Sequence, residues 1–191
     1  MKQRVRVRAA TPADIETVVT LRLALVAEQS DSPLYQPLRA DAPARARRLF
    51  GTQLSSRREA TFLAFEGETC VGIVRCVAAP PSPLFDHPPH GYMTSAFVIP
   101  RARRRGVLRA LVNAAEDWAA RQGLGELRLH SMAGSEQADG AWSALGFGVV
   151  EQLRRRVIPA GPAQPAARPP ASARQAAKPA TPRAAARRST P

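Results

Sequence analysis

One segment, residues 98–111, constrains the fold more than any other part of the chain. It reads Val-Ile-Pro-Arg-Ala-Arg-Arg-Arg-Gly-Val-Leu-Arg-Ala-Leu, so an apolar strand ends at a proline, a basic loop follows, and a glycine precedes an amphipathic helix. Such a helix start offers unpaired N–H groups and the positive end of the helix dipole. Gly106 lets the backbone approach a ligand closely because it has no Cβ. The segment therefore predicts a site for an anionic ligand such as a nucleotide or a coenzyme pyrophosphate.

Charge and composition divide the chain into two parts. The 191 residues include 28 Lys and Arg against 15 Asp and Glu, a formal net charge of +13. This excess favours an anionic ligand, a nucleic acid or an acidic surface as partner, although Arg- and Ala-rich chains from GC-rich genomes also carry it. Residues 159–191 hold 12 Ala, eight Pro, six Lys or Arg and no acidic residue. We expect a folded domain over 1–158 and a disordered Ala- and Pro-rich basic tail over 159–191.

Periodicity and turn residues predict the element order β-α-α-β-β-β-α-β-α-β for the first part. A proline-rich loop is predicted at 79–91. The alternation of elements indicates an α/β fold with a mixed sheet and helices on both faces. The predicted strands are 4–9, 60–66, 69–78, 92–98, 126–132 and 147–158, and the predicted helices are 12–29, 42–56, 105–122 and 135–145.

The two cysteines, Cys70 and Cys76, lie six positions apart in one predicted strand. The even offset predicts that both face the same side, roughly 20 Å apart, which is too far for a disulfide. Buried thiols in a reducing compartment are the expected state. The chain has no metal-ligand spacing, no signal-peptide pattern and no apolar run near the roughly 20 residues of a membrane span. We therefore expect a cytoplasmic protein without a metal.

The element order and two motifs resemble the GNAT superfamily of N-acetyltransferases over about residues 4–157. The segment 98–106, Val-x-Pro-x-x-Arg-x-x-Gly, looks like the family's coenzyme A loop, and 142–147, Trp-Ser-Ala-Leu-Gly-Phe, looks like its late Tyr-x-x-x-Gly-Phe signature. The resemblance implies a mostly antiparallel sheet and acetyl-CoA as co-substrate. It also implies direct transfer of the acetyl group to a primary amine of a small molecule or protein.

The resemblance further implies which residues bind the coenzyme. The strand backbone at 96–98 would pair with pantetheine and hold the thioester oxygen, and the N–H groups of 103–108 would surround the pyrophosphate. Ser135 occupies a position where family members often carry an Asn that touches the coenzyme. The full predicted set is Ala96, Phe97, Val98, Arg103, Arg104, Arg105, Gly106, Val107, Leu108, Arg109, Ser135 and Trp142.

Two positions depart from the family pattern. Leu108 stands where the family usually has Gly or Ala, so coenzyme binding is weaker or repositioned unless the side chain points into the core. Trp142 stands at the Tyr that many members use as general acid, and an indole N–H does not give up its proton at useful pH. Trp142 is therefore either a core residue or part of the lining of the thioester pocket.

His130 and Tyr92 are the candidate catalytic residues. His130 lies at the end of the fifth predicted strand, where acceptor and thioester are expected to meet, and it suits a base or proton shuttle near neutral pH. Tyr92 begins the fourth predicted strand and could donate a hydrogen bond in the acceptor cleft. The ordinary alternatives are an exposed strand-end histidine and a half-buried strand tyrosine. The carboxylates of Glu66, Glu68 and Asp86 could act only through a water or a loop movement.

Three functions stay open at this point. The first is an acetyl-CoA-dependent N-acetyltransferase with an unidentified amine acceptor. The second is a catalytically weak acyl-CoA-binding module with a regulatory or interaction role, which the departures at Leu108 and Trp142 motivate. The third is a nucleic-acid partner that binds only through the basic tail, in a salt-sensitive way, because the tail has no aromatic residues for base stacking. A homodimer is also left open, and no membrane partner is expected.

Overall fold

A computed structural model describes residues 4–81, 83–84, 86–132 and 134–158. Short 3-10 turns at Pro12–Asp14 and Pro100–Ala102 precede the first helix and follow the fourth strand. No helix in the described ranges is both long enough and apolar enough to cross a bilayer. The elements are β1 Val5–Ala9, α1 Ile15–Glu28, α2 Ala42–Leu54, β2 Glu59–Glu66, β3 Thr69–Ala79, β4 His90–Val98, α3 Val107–Arg121, β5 Leu127–Leu129 and α4 Glu136–Ser143.

The five strands form one sheet in the order β1-β2-β3-β4-β5. The first three pairings are antiparallel, and β4 pairs with β5 in parallel. Helices α1 and α2 pack on one face, whereas α3 packs on the other. The predicted mixed, mostly antiparallel sheet with helices on both faces is confirmed.

The sheet separates two apolar clusters. On the α3 face, Val107 and Leu111 pack against strand residues that include Val74 and Met93. Gly72 allows this close approach, because a Cβ there would lie 3.1 Å from a side-chain carbon of each of Val107 and Leu111. The start of α3 is therefore held directly against β3. The buried residues of the α1–α2 face are Val18, Val19, Leu21, Ala46, Phe50, Leu63, Phe65, Ile73 and Phe97.

The chain enters α1 through a capping box at Thr11 and Asp14. The N–H and hydroxyl of Thr11 donate to the Asp14 carboxylate at 2.8 and 3.0 Å. Arg8 adds two hydrogen bonds to the same carboxylate, at 2.8 and 2.7 Å. The Arg8 guanidinium and the Thr11 donors hold the pKa of Asp14 well below its usual range. The predicted helix start after Thr11 is confirmed, with one 3-10 turn before α1.

The predicted last strand, 147–158, is wrong. These residues form neither helix nor strand, and Val149, Val150 and Ile158 are 82 %, 93 % and 83 % exposed. A strand needs a hydrogen-bonded neighbour, which an apolar pattern in the sequence does not supply. The compact unit that contains the sheet ends at Gly148. The predicted tail at 159–191 lies outside the described residues.

The two cysteines are free, but the prediction that both face one side is wrong. Cys76 lies in the α3-face cluster, whereas Cys70 packs against the α1–α2 face. Between Ala64 and Phe65 on β2, the register with β3 shifts so that one step on β2 spans two residues of β3. This bulge reverses the alternation of side chains along β3. Burial raises the pKa of Cys76 to about 12, as expected for an unreactive core thiol.

Candidate active site

Strands β4 and β5 pair over three residues and then separate. The last pair is Met93 with Leu129. Beyond it, β4 runs on to Val98 with β3 as its partner in the described residues. The other edge of β4, at 96–98, therefore has no neighbouring strand among the described residues and borders what we call the β4–β5 opening, where the Val98 carbonyl accepts from Arg103. An extended ligand can hydrogen-bond to such an edge as an added strand does.

A β-bulge interrupts β4 beside this opening. Its register with β3 shifts between the pairs Ile73–Phe97 and Arg75–Thr94. Ser95, which lies inside the shift, has a φ of 57°. A non-glycine residue in the left-handed region is uncommon, and bulges of this kind redirect backbone groups next to active sites. The bulge therefore separates the start of β4, which pairs with β5, from the end of β4, which borders the opening.

Helix α3 begins at a left-handed glycine. Gly106 has a φ of 86° and is the N-cap of this 15-residue helix. The first helical hydrogen bond is donated by the Ala110 N–H to the Gly106 carbonyl at 3.0 Å, so the preceding N–H groups have no partner one turn back. A Cβ on Gly106 would meet no protein atom within 4 Å. The backbone conformation therefore requires the glycine, and the space in front of the helix start is open to an anion.

The side chain of Arg103 is engaged within the protein. Its Nε donates to the Val98 carbonyl at 2.8 Å, and its Nη2 donates to the Glu28 carboxylate at 2.6 and 2.5 Å. The guanidinium also lies 5.9 Å from the centre of the Phe97 ring. Arg103 thus connects the end of β4 to the end of α1. The positive charge of Arg103 lies near the loop before α3, but its hydrogen bonds are made to Val98 and Glu28.

The neighbouring arginines differ in their contacts. Arg105 pairs with Glu66 at 3.2 Å, which places this carboxylate beside the α3 loop. Arg109 donates to the Ala144 carbonyl at 3.2 Å and so connects α3 to the end of α4. Arg104 is exposed and has a φ of 59°. These side chains surround the helix start with positive charge, while the backbone N–H groups of 106–109 are the donors aimed along the helix axis.

The two positions that depart from the family pattern both contact the core. Leu108 is half-buried and packs against the α3-face cluster, as does Trp142. The indole of Trp142 also stacks edge-on against Phe147, with ring centroids 5.5 Å apart. Of the two alternatives for Trp142, these contacts favour packing. Ser135 is the N-cap of α4, and its hydroxyl accepts the Ala138 N–H at 3.3 Å.

Tyr92 and His130 meet where β4 and β5 separate. The Tyr92 hydroxyl is hydrogen-bonded to Nδ1 of His130, and the rings make an edge contact with centroids 5.6 Å apart. The pKa of Tyr92 is raised, mainly by burial and also by Tyr35, so the phenol is protonated at neutral pH. His130 is exposed. The two candidate catalytic residues are thus brought together, and the tautomer of His130 decides which of them donates.

A polar row crosses the same face of the sheet, and the sequence patterns did not reveal it. Thr61, Arg75 and Thr94 are paired neighbours on β2, β3 and β4. The Nε and Nη2 of Arg75 both donate to one oxygen of Glu59, at 2.8 and 2.6 Å. The sequence did contain one indication of this row, because Arg75 is a single arginine in an otherwise apolar strand. Helix α1 adds another cation, Arg22, above this row.

Arg22 is half-buried and lies over the ring of Phe50, 4.2 Å from its centroid. The pKa of Arg22 is lowered to about 10, first by burial and then by Arg75, against an opposing effect of Glu59. It therefore remains a cation at neutral pH. In the periodic pattern of α1 it occupies an ordinary polar position, which is why sequence reasoning passed over it.

Comparison with known proteins assigns a family to this arrangement. A profile of the acetyltransferase (GNAT) family matches residues 25–147. The chain belongs to this family. The matched region of this GNAT protein includes the β4–β5 opening, the start of α3 and the Tyr92–His130 contact. A search of curated proteins finds no match.

Several solved structures share the fold of this GNAT protein. A "predicted acetyltransferase with acetyl-CoA" from Clostridium acetobutylicum superposes with a TM-score of 0.65 at 17% identity, covering 81% of this chain and 96% of that one. AAC(6')-Iy, in complex with the bisubstrate analogue CoA-S-monomethyl-acetylneamine, gives 0.64 at 21% identity, with 81% and 99% covered. A GCN5-related N-acetyltransferase from Ralstonia eutropha gives 0.64 at 23% identity, with 81% and 99% covered.

Proposed function

We propose that the protein transfers the acetyl group of acetyl-CoA directly to a primary amine. One observation carries the proposal: in a GNAT chain, the open edge of β4 leads into a helix that starts at a left-handed glycine, with Tyr92 and His130 in contact at the mouth of the opening. Fold relatives solved with acetyl-CoA or a CoA-derived bisubstrate analogue support this choice of co-substrate.

In this proposal, main-chain groups hold the coenzyme. The N–H groups of 106–109 bind the pyrophosphate, and the edge of β4 at 96–98 aligns the pantetheine arm and the acyl group. Leu108 packs toward the core, so its side chain does not obstruct the loop. The coenzyme supplies an activated thioester whose thiolate, by analogy with Cys, has a pKa of about 8.5 and leaves without a strong acid. A tryptophan at position 142 is therefore compatible with turnover.

The Tyr92–His130 contact provides a path for the proton. The acceptor must attack as a neutral amine, so a base removes its proton. When Nδ1–H of His130 donates to the Tyr92 oxygen, Nε2 is free to accept that proton. The Tyr92 O–H is then free to donate toward the departing sulfur, and the raised pKa of Tyr92 means that the phenol carries this proton at neutral pH.

We propose further that the acceptor is a small molecule and that the protein acts in the cytoplasm. Aminoglycoside N-acetyltransferases among the fold relatives act on small amines, which supports the first point. Free cysteines are consistent with the second. The boundary at residue 158, the role of the tail and a homodimer stay predictions.

The test is steady-state release of free thiol from acetyl-CoA across a panel of amines, with the acetylated product identified by mass. We expect amine-dependent thiol release well above the rate of acetyl-CoA hydrolysis in buffer. Tight binding of acetyl-CoA without turnover on any amine would instead establish a coenzyme-binding module.

A further inference from the structure

Arg22 is a half-buried cation on the side of α1 that faces the sheet. In the part of the chain that the structure describes, its guanidinium forms no ion pair, and its close contact is the face of Phe50. Partial burial removes water from the guanidinium, and buried charges are normally compensated by a counter-charge. The surroundings of Arg22 therefore favour an anion that is not part of this chain.

The sheet beneath Arg22 does not supply that counter-charge. Glu59 is the acidic group whose charge acts on Arg22, but it already accepts two hydrogen bonds from Arg75 on one oxygen, and the Arg75 and Glu59 side chains are only 14% and 19% exposed. Two guanidiniums thus share one carboxylate, which leaves this half-buried cluster with a net positive charge. Arg75 also pairs across the sheet with Thr94, next to the bulge at Ser95.

Arg22 also lines a groove of about 560 Å³ between α1 and α2. The groove contains further arginines, Arg39, Arg45 and Arg48, and its described lining has no acidic residue. Asp41 at its rim pairs with both Arg39 and Arg45 and offsets one of these charges. The positive field therefore extends from the sheet cluster into the groove.

We propose that the amine acceptor carries an anionic group, a carboxylate in the simplest case, which binds Arg22 beside the Arg75–Glu59 pair. A guanidinium presents two parallel N–H donors to a carboxylate, so the contact orients the acceptor as well as attracting it. The sheet register places this cluster one strand from β4 and beside the bulge, on the face that carries Tyr92 and Thr94. In this proposal the acceptor carries its amine a few bonds from its carboxylate, so that the amine can reach Tyr92 and His130 while the carboxylate binds Arg22.

This inference rests on the proposed acetyl transfer and restricts the class of amine that accepts the acetyl group. A polycationic acceptor such as an aminoglycoside would bring positive charge onto a face whose cluster and groove are already positive, which opposes binding. In this proposal the resemblance to aminoglycoside acetyltransferases supports a small acceptor but not a polycationic one.

The experiment compares matched acceptors with the full-length protein. Each pair consists of an amino acid and the same amino acid with its carboxylate converted to a primary amide. Neamine serves as the polycationic probe. For every acceptor, kcat/KM is measured at saturating acetyl-CoA. The amine of the amide is less basic, so a larger fraction of it is neutral at neutral pH. Intrinsic reactivity therefore favours the amide, which is opposite to the preference we expect. We expect at least one acid to exceed its amide by about tenfold or more, and neamine to be the poorest acceptor.

Variants assign the preference to Arg22. Arg22→Gln should lower the acid-to-amide ratio of kcat/KM to one or below, mainly by raising KM for the acid, with KM for acetyl-CoA unchanged. Arg22→Lys keeps the charge and should retain most of the preference, which also separates charge from loss of packing on Phe50. Arg121→Gln, the same substitution at an exposed position at the end of α3, is the matched control and should change nothing.

The outcomes separate the two claims. Three results would overturn the anionic-acceptor proposal while acetyl transfer stands. They are an amide kcat/KM equal to that of the acid in every pair, a preference for neamine, or an acid-to-amide ratio that is unchanged in Arg22→Gln. If no amine is acetylated, the proposed function falls. Calorimetric titration of the same acid and amide pairs in the presence of CoA then tests the anion site separately. Tighter binding of the acid that is lost in Arg22→Gln supports the site, and equal binding of acid and amide to the wild-type protein overturns it.

Discussion

The two proposed halves of the active site, one for the coenzyme and one for the acceptor, are built in different ways. The coenzyme half consists of consecutive residues, the end of β4 and the start of α3, held in place by the core around Gly72. The acceptor half consists of single side chains from separate elements, Arg22, Arg75, Tyr92 and His130. Changes in the coenzyme half should therefore affect stability and coenzyme affinity, whereas changes in the acceptor half should affect turnover.

The largest expected effect is on turnover in the acceptor half. His130→Ala removes the proposed base and should lower kcat about 100-fold, the usual scale for positioned acid–base groups. Acetyl-CoA affinity and thermal stability should be unchanged, because His130 is exposed and distant along the chain from the α3 loop. Steady-state kinetics and calorimetric titration with acetyl-CoA measure the two quantities.

A double variant sharpens this test. If Tyr92 and His130 form one proton path, adding Tyr92→Phe to His130→Ala should lower kcat little further than the single change. An unchanged kcat in His130→Ala, or fully multiplicative losses, contradicts the path.

Trp142 should behave as part of the packing of the coenzyme half. Trp142→Ala leaves a gap beside Phe147 and should cost about 2 kcal/mol in the free energy of unfolding, below the value for a fully buried aromatic. Trp142→Tyr keeps most of the ring and should cost under about 1 kcal/mol, with turnover equal or higher. Urea denaturation and kcat measurements check both variants. A stable Trp142→Ala protein with greatly reduced turnover would indicate a direct role at the thioester.

Gly106 tests whether the backbone itself holds the coenzyme. Gly106→Ala adds a Cβ at a φ of 86° and should weaken acetyl-CoA binding about tenfold while costing roughly 1–2 kcal/mol in stability. The matched control is Gly140→Ala in α4, where a Cβ also meets no atom within 4 Å. That change should leave acetyl-CoA affinity unaltered. Equal affinity in both variants, measured by calorimetry, would show that the left-handed N-cap is not needed for binding.

The smallest expected effect lies outside both halves, at the capping box before α1. Asp14→Asn should lower stability by about 1 kcal/mol at neutral pH without changing kcat. The pKa of Asp14 is lowered in the folded state, so its contribution is complete above the ordinary Asp pKa and is lost as pH falls through the folded value. The stability difference from the wild-type protein should therefore shrink in strong acid, as measured by thermal unfolding from pH 7 to pH 2. A difference that does not change with pH would contradict this assignment.

The coenzyme half could be predicted from the sequence because its signals are local. Pro100, Gly106 and the apolar face of α3 follow one another within a few residues, so strand end, loop and helix start are each marked in the chain. The order of elements and the helices on both faces followed from similar local patterns.

The acceptor half could be predicted only in part: Tyr92 and His130 were candidates from their strand positions, whereas Arg22 and Arg75 become neighbours only through the packing of α1 on the sheet. Arg22 and Arg75 are far apart in the chain, and neither belongs to a recognisable motif. The bulges at Ala64/Phe65 and at Ser95 change the register of the sheet, and the sequence does not mark them clearly: only the first has a glycine beside it, Gly72. The strand expected at 147–158 failed for the same reason, since pairing depends on a neighbour.

The most direct test of the account is a structure of the protein with acetyl-CoA. The account predicts pyrophosphate oxygens about 3 Å from the N–H groups of 106–109, the pantetheine arm along the edge of β4, and the thioester sulfur within hydrogen-bond reach of the Tyr92 hydroxyl. A pyrophosphate bound away from the start of α3, or a thioester remote from the Tyr92–His130 contact, would contradict it.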